Sequence, residues 1–266
     1  NGEIIDNYFF VIFLSFFFLL GLVDDLIDLS SNSRLILSIV FLIIFFHFNN
    51  EILINNLKIF GKDLNLIFHL PNTIIIFLTI LCILLLQHAI NMMDGINTVC
   101  ALFIMFCIIY FNEKNGYTSL DIFLLTNLFL FTIFNYKNKI FLGNAGSYLL
   151  SSFLAFKILH QNYFHYNFSG EQIFLILMIP GLDMLRLFIF RILKKQNPFQ
   201  ADSDHLHHLI IKYFKGKYNL SILLTLIIVF TPGLFNLFFN IENFYFIFIF
   251  IILYSIFILK IKKKLF

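Results

Sequence analysis

The stretch 7-NYFFVIFLSFFFLLGLV-23, followed at once by 24-DDLID-28, decides the fold class. A helix of that apolar length spans about 26 Å at 1.5 Å per residue, close to the hydrocarbon thickness of a bilayer. The run begins near acids, Glu3 and Asp6, and ends in acids rather than small residues. It is therefore read as a membrane span and not as a cleavable signal peptide. Further apolar runs follow at 34–48, 72–90, 96–111, 119–135, 142–160, 171–193, 218–238 and 241–259. Nine spans predict an all-α, polytopic transmembrane bundle. Composition agrees, because 60% of the 266 residues are hydrophobic and only 12% are charged. That leaves too little charge to cover the surface of a soluble domain.

Cys82, Cys100 and Cys107 all sit in apolar runs, with neither disulfide nor metal-ligand spacing, and are read as small buried hydrophobes. The 40 Phe, without a single Trp, are given no functional meaning. No internal repeat is visible, so residues 1–266 are expected to form one membrane domain. Residue 1 is Asn rather than Met, and the expectation is a chain truncated at its N-terminus.

The connections between spans alternate in character. One set carries Arg34, Lys137, Lys139, Arg191, Lys194, Lys195, Lys212, Lys215, Lys217 and the tail Lys260 to Lys264; the other has only Lys58, Lys62 and Lys114. The basic set is expected to face the cytoplasm, with the tail inside. The segment 49–71 on the other side, with Gly61 and Pro71, has room for a small hairpin. Acids on the basic side come in motifs, while those opposite are scattered singly. Ionisable groups at a membrane are costly, and their clustering points to function.

Four motifs carry chemistry. In Gly21-Leu22-Val23-Asp24-Asp25-Leu26-Ile27-Asp28, a continuing helix would put Asp24 and Asp28 on one face with Asp25 beside them. Such a group repels itself unless a cation intervenes, and hard oxygen ligands suit Mg²⁺. A solvated helix end is the plainer alternative. The second motif, Ala89-Ile90-Asn91-Met92-Met93-Asp94-Gly95-Ile96-Asn97, follows an apolar run, and alone it also fits a span terminus capped by Asp94 or Asn97. Phe141-Leu142-Gly143-Asn144-Ala145-Gly146-Ser147 opens the sixth span, where backbone N–H groups at a helix start favour phosphate. The fourth runs from Pro180 through Asp183, Arg186 and Arg191 to 197-NPFQADSDHLHH-208. Its Asp202, Asp204, His205, His207 and His208 lack a usual zinc spacing, so donors to phosphate or to a leaving group are preferred. All four fall on the basic side. Together they describe Mg²⁺-assisted phosphoryl chemistry at a membrane surface.

At these residues the chain resembles the polyprenyl-phosphate N-acetylhexosamine-1-phosphate transferases, which start bacterial cell-envelope glycans. The DDLID, AINMMDGIN, FLGNAGS and PFQADSDHLHH runs resemble that family's motifs in the same order, over nearly the whole chain. DDLID with HLHH is closer to the UDP-N-acetylglucosamine branch than to the peptidoglycan translocase branch, which typically has Lys at Asp28 and His at Leu206. The resemblance implies that the lipid phosphate attacks the β-phosphate of a UDP-sugar and that UMP leaves. It implies Mg²⁺ (or Mn²⁺), a membrane setting, a homodimer as a candidate assembly and no nucleic acid. Asp24 and Asp25, with Asp94 nearby, would deprotonate or position the acceptor phosphate. Asn91 and Asn144 would face the metal. Asn97 would read the uracil, and Asp28, Arg34, Arg191, His205, His207 and His208 would hold phosphates or sugar. The chain departs from the family in lacking two earlier spans and in having Asn144 where a metal-binding Asp is usual. These departures keep a catalytically impaired or dead relative open. A transporter is a further alternative, disfavoured because the acids lie at span ends rather than at the bilayer midplane.

Overall fold

The computed structural model describes residues 2–54, 58–59, 66–67, 71–113, 116–165, 168–195, 204–239 and 244–265. Among them are ten helices: α1 (Gly2–Ile27), α2 (Ser31–Phe48), α3 (Asn72–Met93), α4 (Val99–Asn112), α5 (Ser119–Tyr136), α6 (Gly143–His165), α7 (Gly170–Leu193), α8 (Leu206–Tyr213), α9 (Tyr218–Phe239) and α10 (Phe244–Leu265). Two short strands, β1 (Lys58–Ile59) and β2 (Leu66–Ile67), pair antiparallel, as expected for a hairpin in 49–71.

The protein is all-helical in its bulk and polytopic, and the expected count of nine spans is not confirmed. Among the described residues seven helices are long and apolar enough to cross a membrane: α1, α2, α3, α5, α7, α9 and α10. The other two fall short for different reasons. Helix α4 has 14 residues, a rise of about 21 Å, because residues 96–98, counted as span, belong to a turn. Helix α6 is long but opens on small and polar residues and carries Lys157, His160 and Gln161. Helix α10 runs to Leu265 instead of stopping at 259, so the basic tail is helical. Its last-turn lysines suit the negative end of the helix dipole.

The chain divides into two compact units, the first comprising Asn1–Asn56, Phe68–Asn91 and Leu142–Asn167 and the second Leu57–Ile67, Met92–Phe141 and Phe168–Phe266. In the first, α1 and α6 form the most extensive helix pair. They meet closely because Gly21 has no side chain: a Cβ there would lie 2.4 Å from the Asn144 carbonyl oxygen. Small residues at such crossings let membrane helices approach, where packing rather than water drives association. Phenylalanines fill the rest of this interior. Phe13, Phe17 and Phe156 are buried with Phe45 and Leu42, and the Phe16 and Phe41 rings stack 3.8 Å apart.

In the second unit, α9 packs against α7, α4 and α8, and α10 against α8 and α7. Leu175, Met178 and Ile247 form the buried seam between α7 and α10. Asn236 of α9 donates to the Tyr110 hydroxyl of α4, a polar contact that joins the two helices inside the unit.

Candidate active site

In the first unit the chemistry gathers where α1, α3 and α6 meet. Helix α1 ends at Ile27 because Asp28 turns left-handed at φ +49, its N–H still bonded to the Asp24 carbonyl. Ser30 then caps α2, accepting from the Ser33 N–H. Asp24 is only 2% exposed. Its Oδ1 accepts the Leu29 N–H at 3.0 Å, and its Oδ2 pairs with Arg34 Nη1 at 2.8 Å. Arg34 also donates through Nη2 to Ser31 Oγ at 3.3 Å. The buried carboxylate is thus paired and hydrogen-bonded, which its burial demands.

The neighbouring Asp25 reaches α6. Its Oδ1 and Oδ2 accept the N–H groups of Asn144 and Ala145, both at 2.9 Å. These are among the orphan donors of a helix start, so Asp25 caps α6 from another helix and places a negative charge at its positive end. The Asn144 side chain accepts from Asn91 Nδ2 of α3 at 2.8 Å, and the same Nδ2 lies 2.9 Å from Ser147 Oγ. One turn earlier on α3, Gln87 donates to Ser152 Oγ at 3.0 Å. The result is a polar ladder between α3 and α6, headed by Asn91, Asn144 and Asp25.

The second unit gathers another set. Residues 94–98 form the turn between α3 and α4, ending at Thr98 with φ +73. Two bonds hold that turn: the Thr98 N–H donates to Asn135 Oδ1, and Asn97 Nδ2 donates to Asn138 Oδ1. Gly95 lies directly under His207, since a Cβ there would be 1.9 Å from its Nε2. His207 is 4% exposed, and its Nε2 has no hydrogen-bond partner among the described residues. Burial, with His208 and His205 alongside, pushes its pKa down to about 3. The three rings sit together, His205 and His207 parallel at 5.6 Å and His207 to His208 at 4.2 Å between centroids.

Asp183 of α7 anchors this segment. Its Oδ2 accepts the Leu206 N–H at 3.0 Å, with His205 Nδ1 at 3.5 Å. Its Oδ1 receives Arg186 Nη2 and the Tyr254 hydroxyl, each at 2.8 Å. Arg186 Nη2 also donates to the Asp204 carbonyl at 2.6 Å.

A profile of the glycosyl transferase family 4 matches residues 8–161. An undecaprenyl-phosphate alpha-N-acetylglucosaminyl 1-phosphate transferase of Thermotoga maritima is 30% identical over 93% of this chain and 75% of the relative. Its namesake in Escherichia coli O157:H7 is 28% identical over 73% of this chain and 55% of the relative, and that of Escherichia coli K12 is 30% identical over 51% and 40%. The chain belongs to glycosyl transferase family 4.

In this family 4 chain the candidate residues sort by unit. Asp24, Asp25, Arg34, Asn91 and Asn144 come together in the first. Asp94, Asn97, His205, His207 and His208 lie in the second, with Arg191 buried in the last turn of α7. Two expectations need correction. Asp28 does not continue the acidic helical face, because α1 has already ended. Two of the N–H groups opening α6, those of Asn144 and Ala145, are not open to phosphate, because Asp25 occupies them. Asp202, with the rest of 196–203, lies outside the described residues. Sequence reasoning named Asp183 but gave it no role and missed Tyr254. A single Tyr in an apolar run carries no signal by itself.

Proposed function

We propose that this chain transfers N-acetylglucosamine-1-phosphate from its UDP-sugar to polyprenyl phosphate, releasing UMP, on the cytoplasmic side of the cell membrane. Family membership supports the reaction class, and the relatives' names supply acceptor and sugar. The observation that carries the reading is the junction of Asp25, Asn144 and Asn91, which joins three of the four motif-bearing helix ends in their resemblance to the transferases. The lysine-rich connections support the sidedness.

In the reaction, an oxygen of the lipid phosphate bonds to the β-phosphorus, the α–β phosphoanhydride bond breaks, and UMP carries off the released electron pair. The acceptor phosphate is already ionised near neutral pH, so its activation is a matter of position rather than of a strong base. Asp24 keeps Arg34 at the mouth of α2, where the guanidinium serves phosphate oxygens. Asp25 fixes the start of α6, and with it the carbonyl of Asn144.

The residues present fit Mg²⁺ in two positions. The Asn91 amide head and Asn144 Oδ1 lie 2.8 Å apart, so two amide oxygens would face one hard cation once the Asn91 amide is turned. Bound there, magnesium would neutralise the pyrophosphate charge. Both oxygens are neutral, and among the described residues no group of three or more His, Cys, Asp or Glu could hold a metal. The ion is therefore expected to arrive on the substrate phosphates.

The test is UMP release and lipid-linked sugar formation by the purified chain with UDP-N-acetylglucosamine and undecaprenyl phosphate, over a magnesium titration at low UDP-sugar. Asn144→Asp keeps the acceptor for Asn91 and adds one charge. At contact distance that is worth a few kcal/mol, in part offset by solvation. The variant should need roughly tenfold less magnesium. Activity only in the Asp variant identifies a catalytically impaired relative. No lipid-linked product from either form overturns the reading.

A further inference from the structure

We infer that Tyr254 is a positioning residue: through Asp183 it holds the histidine-bearing helix α8 in place. The inference rests on the proposed transfer only for its kinetic arm. Helix α8 has 8 residues and begins at His205 with no side-chain cap of its own. An uncapped short helix is marginal, because its first N–H groups lack partners and its nucleation is unfavourable. Here the missing cap comes from outside. The Asp183 carboxylate of α7 accepts the Leu206 N–H and lies against His205 Nδ1.

A carboxylate does this better when its second oxygen is also held, because its orientation is then fixed. Asp183 Oδ1 is held from two directions, by Arg186 one turn along α7 and by the Tyr254 hydroxyl of α10. Arg186 is committed elsewhere as well, since its Nη2 also bonds the Asp204 carbonyl. Tyr254 is thus the donor that ties the carboxylate to a second helix. It is 6% exposed, and its ring packs in the interior of the unit.

Helix α10 also grips the other end of α8. Lys264 Nζ donates to the Tyr213 hydroxyl at 3.2 Å and stands 4.4 Å from that ring's centroid. Residues 254 and 264 are separated by about 15 Å along a helix, and α8 is about 12 Å long. Helix α10 therefore reaches both ends of α8, the start through Asp183 and the end through Tyr213, with His207 and His208 on the segment between.

The experiment uses the purified chain in nanodiscs, with Tyr254→Phe, Asp183→Asn and the double variant. Tyr254→Phe removes one oxygen atom and keeps the ring. Amide hydrogen exchange in peptides covering 206–213 is expected to quicken roughly tenfold, while peptides of α7 and α9 keep their rates. Those unchanged peptides report that the variant is folded. In the double variant Tyr254→Phe should add nothing to Asp183→Asn, because both break the same chain of contacts. Kinetically, KM for the UDP-sugar should rise severalfold while KM for the lipid phosphate stays. A structural defect alone would lower the active fraction and so kcat only. Unchanged exchange in 206–213, or additive effects in the double variant, overturns the inference. A native chain without transfer activity overturns the proposed reaction instead and leaves the exchange result to decide this one.

Discussion

Asp25 shows how one residue can serve structure where sequence suggested chemistry alone. Expected to deprotonate or position an acceptor phosphate, Asp25 also caps α6 with both oxygens. Replacing a cap costs about 0.5–2 kcal/mol, and the exposure of Asp25 places it at the low end. Asp25→Ala should therefore lower the thermal unfolding midpoint measurably, and Asp25→Asn, which keeps one acceptor, should lower it less. If both abolish transfer equally while differing in stability, Asp25 acts on substrate; if activity tracks stability, it acts through α6. His207 gives a second prediction at this scale. Its folded pKa of about 3 lies below the ordinary 6.5, so the unfolded chain takes up the proton first as pH falls. The stability from this neutral imidazole is complete above about pH 6.5 and declines from there toward pH 3. Between pH 7.5 and 5 the native chain should lose on the order of 2 kcal/mol more than His207→Gln. His205, His208 and Asp183 face the ring and should be kept unchanged in that comparison.

Among elements, the α1–α6 pair is the most sensitive to a single methyl group. Gly21→Ala would drive a Cβ into backbone at 2.4 Å, and backbone cannot swing aside as a side chain can. Overpacking of this kind costs about 1–3 kcal/mol, and here it also pulls Asn144 away from Asp25. Gly181→Ala is the control, because no atom lies within 4 Å of its added Cβ. Unfolding of both variants in detergent, followed by circular dichroism, should show a loss only for Gly21→Ala. Helix positions were largely legible in the sequence, because long apolar runs bounded by Asn, Ser and Gly admit few alternatives. The ends were less so. Whether the helix continues to Asp28 was left open, because i,i+4 spacing says nothing about where the chain turns left-handed. The partners of Asp24 and Asp183 were invisible, since a cap supplied by another helix leaves no local pattern.

For the whole molecule, composition alone settled that the chain lives in a membrane, and the four motifs were enough to place it among its relatives. The span count was not legible to the same degree: hydropathy merged the turn at 96–98 with α4 and passed over the polar content of α6. Sidedness has a direct test in the second unit. With Cys82, Cys100 and Cys107 changed to Ala, single cysteines at Lys139, Lys195 and Lys262 should react with a membrane-impermeant maleimide only in inside-out vesicles. A cysteine at Glu113 should react only in the opposite orientation. Labelling of Lys139 and Lys262 from different sides would break the proposed topology.

The two borrowed caps have a common consequence. Helix starts are the usual places where a free anion settles on a protein, and α6 and α8 have each filled theirs from within, α6 with Asp25 and α8 with Asp183. Loose inorganic phosphate, abundant in any cell, finds those two berths taken. Any anion held near these helices must then be gripped by side chains, because the backbone donors that usually serve it are already spoken for.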